Sequence, residues 1–293
     1  MFQFNTLISL LLLLLCSASA VAAPPVPAPP TVAGTGHLLL DMHSGRVLAE
    51  SNADARLEPA SLTKIMTAYV VFRELQHGNL KLEDQALISE KAWKTPGSRM
   101  FIEVGKRVSV GDLLNGMVIQ SGNDASVALA EHIAGSEDTF AGLMNEHSRR
   151  LGMQNTHFVN ATGLPHEDHY TTPRDIAKVT IATIREFPEL YKLYAVKEFV
   201  WNDIKQPNRN LLLWRDDSVD GVKTGHTEAA GYCLVSSAAR EGMRLVAVVM
   251  GTSSENARAK ESLSLLNYGF RFFETHRLYA AGDALVRTRV WKG

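Results

Sequence analysis

Tyr232-Cys233-Leu234-Val235-Ser236-Ser237-Ala238, Arg240-Glu241-Gly242, Leu245-Val246-Ala247-Val248-Val249-Met250: two apolar runs flank a polar stretch that ends in glycine. Runs of this length bounded by turn residues predict a β-hairpin, and so an antiparallel sheet. Downstream, an amphipathic pattern from about Glu255 to Phe273 predicts a helix. Upstream, Lys223-Thr224-Gly225, followed by His226-Thr227, leads toward the first run and reads as a polar strand start at a sheet edge.

A second hairpin is predicted near the other end, where His43-Ser44-Gly45 separates the β-like runs His37–Met42 and Arg46–Ser51. Helical spacing begins at Ser61, just after Pro59, and continues to about Leu75 through Ile65, Val70 and Val71. Gly111–Ile119 carries Leu113, Leu114, Met117 and Val118 at helical spacing, and Ser121-Gly122-Asn123 breaks the pattern. A further helix restarts at Asp124, read as its cap, and runs to about Ala134. Strands at both ends and helices between them predict the α/β class: an antiparallel sheet flanked by helices, with a helical subdomain.

Hydrophobic residues make up 45% and charged residues 21% of the 293, the balance of an ordinary globular protein. The formal net charge of −1 supplies no global field for nucleic acid, so no nucleic-acid partner is expected. Leu7–Leu15 has the length of a signal-peptide core, and Ala18 and Ala20 form an A-x-A site, so residues 1–20 read as an export signal. Cleavage after Ala23 is the alternative; Met1–Asn5 departs from the pattern in having no Lys or Arg. Residues 21–35 include the Pro/Ala-rich stretch Pro24–Pro30, read as an extended tether. Removing the signal leaves Cys233 as the single cysteine, and its apolar surroundings make it a core residue. At the far end, Ala284–Trp291 is β-like, but one strand makes no domain. Residues 278–293 are therefore read as the first strand of an incomplete β domain, the chain being a fragment or a truncation.

Three short motifs carry chemistry. In Ser61-Leu62-Thr63-Lys64, positions i and i+3 share a helix face, so the Lys64 amine can lie against the Ser61 hydroxyl. A lysine desolvated in a pocket can lose enough basicity to act as the general base that a serine nucleophile needs. Roughly one Ser-x-x-Lys is expected by chance in such a chain, so this motif alone decides nothing. Ser121-Gly122-Asn123, at a break between helices, can aim a proton-relaying hydroxyl and a substrate-holding carboxamide into a cleft. Lys223-Thr224-Gly225 offers a cation, a hydroxyl and a glycine that lets a substrate backbone approach. Ser-x-x-Lys, Ser-x-Asn and Lys-Thr-Gly in this order form the arrangement shared by serine β-lactamases and penicillin-binding proteins.

Pro59-Ala60-Ser61-Leu62-Thr63-Lys64-Ile65-Met66-Thr67 resembles the nucleophile segment of the low-molecular-mass penicillin-binding D-Ala-D-Ala carboxypeptidases, peptidase family S11. Gln120–Ala125, Phe158–Leu164 and Asp220–Thr227 resemble further stretches of that family. The resemblance implies a β-lactamase/transpeptidase-like catalytic domain over residues 36–277, with no cofactor and no metal. It implies Ser61 as acyl-ester nucleophile, Lys64 as base, Ser121 as proton relay, and Asn123 and Lys223 as catalytic partners. It further implies an oxyanion site from the Ser61 and His226 backbone, and substrate binding by Lys223, Thr224, Gly225, His226, Arg209 and Arg258. The substrates implied are peptidoglycan stem peptides, with β-lactam antibiotics as acylating ligands, in the periplasm or cell envelope. In the family a small β domain and an amphipathic membrane anchor follow; the anchor is read as absent from this chain. The rivals are a serine β-lactamase using Glu167, an endopeptidase of the same family, a silent scaffold, and a metal peptidase built on His157, His166, Asp168 and His169.

Overall fold

Leu245–Met250 is buried along its whole length and becomes the middle of the principal sheet. The structure, a computed structural model, describes residues 26–280, 282–286, 288 and 291. The predicted export signal, with cleavage after residue 20 or 23, lies outside the described residues. In chain order the strands are β1 Gly36–Asp41, β2 Val47–Ser51, β3 Gln85–Leu87, β4 Arg107–Ser109, β5 Glu198–Trp201, β6 Ile204–Pro207, β7 Val219–Thr227, β8 Gly231–Arg240 and β9 Met243–Thr252. The helices are α1 Thr63–His77, α2 Glu90–Lys94, α3 Val110–Val118, α4 Asn123–Ala134, α5 Glu137–Arg150, α6 Pro173–Glu186, α7 Pro188–Tyr191, α8 Leu212–Arg215 and α9 Glu255–Phe272.

The main sheet runs β2-β1-β9-β8-β7, antiparallel throughout, so both predicted hairpins join one sheet. Side chains alternate across a strand, and β9 uses both faces. Leu245, Ala247 and Val249 pack with Leu265 and Leu266 of α9, whereas Val246, Val248 and Met250 face the helical body. Each of the Leu, Val and Met side chains among these contributes about 1.5–3 kcal/mol through burial. Cys233 lies in this second layer as a core residue, its thiol pushed up to about 11 by burial.

α1 is the axis of the helical body. Its residues from Thr63 to Phe72 are all buried, which is why its apolar pattern extends beyond one stripe. Around it stand α4, α5 and α6, the last with Thr172 as cap (its hydroxyl accepts the Asp175 N–H at 3.1 Å) and Pro173 in the first turn.

Two local expectations are corrected. Lys223-Thr224-Gly225 lies within β7, a separate edge strand paired with β8, and does not start the 232–238 strand. Its many polar residues hid a strand that needs only one neighbour. Asp124 caps no helix: α4 begins at Asn123 after Gly122, and the Asp124 carboxylate accepts the N–H groups of Met100 and Phe101, both at 3.0 Å. In the Pro-rich segment, where described, the Tyr268 hydroxyl donates to the Pro27 carbonyl at 3.0 Å, and further on Val32 packs on the α9 side of the sheet. Of the stretch 278–293 read as a first β strand, residues 281, 287, 289, 290, 292 and 293 lie outside the described residues.

Candidate active site

A single 3-10 turn, Ala60–Leu62, delivers the chain into α1 and carries Ser61. Ala60 has a φ of 46°, a conformation that costs energy in a residue with a Cβ. Two glycines crowd this turn. A Cβ on Gly163 would lie 1.8 Å from the Ala60 carbonyl oxygen, and one on Gly225 would lie 3.2 Å from the Ser61 nitrogen. The turn is thus wedged between β7 and the loop at 158–164.

One helical turn further on, Lys64 is 1% exposed. Its Nζ donates to Ser61 Oγ at 3.0 Å, Asn123 Oδ1 at 2.7 Å and the Thr162 carbonyl at 2.6 Å. Burial, reinforced by the charge of Arg209, lowers its pKa to about 7 against the pull of Asp124 and Glu137. Near neutral pH a large fraction is the free amine, the form that can accept the Ser61 proton.

Ser121 is 3% exposed, with φ of 69°, and its Oγ has no hydrogen-bond partner among the described residues. A buried hydroxyl left in that state is costly and suits a group waiting for substrate. Asn123 is engaged on both sides: its Oδ1 accepts from Lys64 and its Nδ2 donates one N–H to the Pro96 carbonyl at 2.6 Å, so its amide positions the lysine and keeps a second N–H.

β7 closes the cleft. Lys223 is buried, donates to the Thr224 carbonyl at 3.1 Å, and has its pKa driven well down by burial and then by Lys64, Arg209 and Arg258. Thr224 and Gly225 are buried beside it, while His226 is exposed and stacks on Tyr232 at 4.0 Å. The two arginines differ. Arg209 is exposed and pairs with no carboxylate among the described residues. Arg258 is 3% exposed, donates to the Gly225 carbonyl at 3.2 Å, bracing β7, and meets Glu255 at 3.4 Å.

Glu167 sits on the exposed turn at 165–168, away from the buried stretch 161–163 that meets Lys64. The imagined metal ligands are otherwise engaged. His157 Nδ1 meets the Asp168 carbonyl at 2.7 Å, His166 Nδ1 accepts the Asp168 N–H at 3.1 Å, and His169 bridges Thr63 and Val159. Among the described residues no three potential ligands converge. Sequence reasoning missed Asn160 and Thr162. Asn160 Oδ1 accepts the N–H groups of Thr162 at 3.1 Å and Gly163 at 2.7 Å, presenting the Thr162 carbonyl to Lys64. The stretch Phe158–Leu164 was their only signal.

The arrangement can activate a serine, hold an anionic group beside it and shuttle a proton between them. A family model described as D-alanyl-D-alanine carboxypeptidase, peptidase S11, matches residues 23–254. The D-alanyl-D-alanine carboxypeptidase DacC of Escherichia coli (strain K12) is 46% identical over 288 residues, covering 96% of this chain and 72% of that protein. Penicillin binding protein 5 from Haemophilus influenzae superimposes with a TM-score of 0.87 at 44% identity, over 89% of this chain and 77% of that one. Penicillin-Binding Protein D2 from Listeria monocytogenes, in the ampicillin bound form, gives 0.77 at 27% identity over 83% and 100%.

Proposed function

The chain belongs to the D-alanyl-D-alanine carboxypeptidases of peptidase family S11, and from that membership we propose that it releases the terminal D-Ala of peptidoglycan stem peptides through an acyl-enzyme on Ser61. The observation that carries this reading is the buried Lys64 amine, 3.0 Å from Ser61 Oγ with its pKa lowered to about 7.

Neutral Lys64 takes the Ser61 proton as Oγ adds to the carbonyl carbon of the penultimate D-Ala. The carbonyl electron pair moves to oxygen, and the backbone N–H groups of Ser61 and His226 receive that oxyanion. Ser121 passes its proton to the departing amine and takes up the one Lys64 holds; the oxyanion electron pair returns to the carbon, the C–N bond breaks and D-Ala leaves, with Lys64 neutral again. Lys64 then deprotonates a water that adds to the ester, and Ser61 is regenerated with its proton. Thr224 and Arg209 bind the terminal carboxylate, for which a free guanidinium is suited. Arg258 supports them by holding β7. Penicillin acylates the same serine, and its opened ring keeps the leaving amine tethered. The enzyme acts in the cell envelope, reached through the export signal at 1–20.

Intact mass after incubation with benzylpenicillin tests this. Wild type should carry one penicilloyl group whether or not EDTA is present, and Ser61→Ala should carry none. D-Ala release by Ser61→Ala at the wild-type rate would overturn the scheme.

A further inference from the structure

The loop at 158–164 is fastened along one face of the nucleophile turn and α1. Ala60, Thr63, Lys64 and Thr67 have the spacing of a single helical face. Gly163 lies on the Ala60 carbonyl, Thr162 takes Lys64, and Thr67 Oγ1 donates to the Ala161 carbonyl at 2.8 Å. Thr63, the remaining member, meets His169 from the returning arm of the same loop: Thr63 Oγ1 and His169 Nε2 are 2.8 Å apart. On its other side, His169 Nδ1 accepts the Val159 N–H at 3.1 Å.

This pair of bonds decides the tautomer. Nδ1 is an acceptor, so the neutral ring carries its proton on Nε2 and donates it to Thr63. The ring is 2% exposed and edge-on to Phe158, at 5.7 Å between centroids. Burial, with like charge from His157, His166 and Lys64, depresses its pKa to about 4, so the neutral form prevails at working pH.

We propose that His169 is a positioning residue for acylation: it clamps the 158–164 loop to α1, and so holds the Thr162 carbonyl on Lys64 and water away from the amine. This rests on the Ser61 acyl-enzyme reading. The ring touches neither nucleophile nor base; it acts through Thr63 and Val159. Burial is the largest influence on Lys64, ahead of Arg209, Asp124 and Glu137, and the buried Lys223 amine also acts electrostatically with Lys64. A loosened loop hydrates the amine and restores part of its ordinary basicity.

The test is the benzylpenicillin acylation rate of the full chain across pH. His169→Ala and Thr63→Val should each slow acylation about 10–100-fold, as small misplacements of a catalytic group do. Both should move the acid limb of the profile upward. In His169→Gln an amide oxygen can accept from Val159 and its nitrogen can donate to Thr63, so rate and limb should return toward wild type. A lower Tm with an unmoved limb, in either His169→Ala or Thr63→Val, would show a purely structural role and overturn the proposal. If His169→Ala does not fold, Thr63→Val decides alone. Absence of any wild-type adduct would overturn the acyl-enzyme reading and this proposal together, whereas a wild-type adduct with unmoved limbs removes only His169.

Discussion

Lys64 combines three acceptors with almost complete burial, and the two features work in opposite directions. Ser61, Asn123 and Thr162 favour the ammonium, while desolvation, the larger influence, favours the amine. The base must be neutral to act, so acylation by penicillin should rise as pH passes through about 7 and level off above it. Lys64→Arg should lower the rate about 100- to 10,000-fold, because a guanidinium keeps its proton. A flat rate profile through neutral pH would remove Lys64 as the base. The same shift has a thermodynamic consequence. Between about pH 7 and 10.5 the unfolded chain binds more protons at this lysine than the folded one, so its contribution to stability grows with pH in that window. The Ser61–Lys64 pairing was readable because i,i+3 neighbours meet on any helix. The grip of Asn123 on Lys64 was not readable, because its two partners, Lys64 and Pro96, lie 59 and 27 residues away in sequence.

At the scale of elements, the cleft depends on how closely β7 approaches the turn that carries Ser61. The Gly225 position sets that distance, since a Cβ there would be 3.2 Å from the Ala60 Cβ, the Pro59 carbonyl and the Ser61 nitrogen. The contacts are tight but short of a collision, so Gly225→Ala should fold with a modestly lower Tm. Moving the strand outward by a few tenths of an ångström should cut acylation about 10-fold, short of the roughly 100-fold loss for a displacement near 1 Å. Wild-type acylation in this variant would show that the spacing is not critical. Hairpins and long helices were legible as elements because their periodicity is local. The 158–164 loop was not, because its contribution is a backbone carbonyl aimed by Asn160, and backbone carbonyls leave no trace in residue type.

For the molecule as a whole, a net charge of −1 conceals a strongly uneven distribution. Lys64, Lys223, Arg209 and Arg258 act on one another electrostatically in the cleft. Asp124 is committed to backbone N–H groups and Glu137 to Ala161 and Lys91, while Glu255 meets Arg258 at 3.4 Å. Such a cleft attracts an anionic substrate terminus over distances that salt shortens. The kcat/KM for a peptide ending in D-Ala-D-Ala should therefore fall several-fold as ionic strength rises from about 0.01 to 0.15 M. Arg209→Gln should weaken that dependence, and equal salt slopes for the two proteins would take Arg209 out of carboxylate binding.

The sequence by itself determined the two hairpins, the helix that follows Ser61 and the ordered set of Ser61–Lys64, Ser121–Asn123 and Lys223–Gly225, since turn residues, periodicity and short spacings act over a few positions. Only the tertiary structure decided that Asn123 holds Lys64, that Arg258 braces β7 while Arg209 stays open, and that the lysine titrates near neutrality. Desolvation is the reason. A group loses its water to whatever packs against it, and here those neighbours come from β7, α4 and a loop about 100 residues beyond the nucleophile, 98 in the case of Lys64 and Thr162.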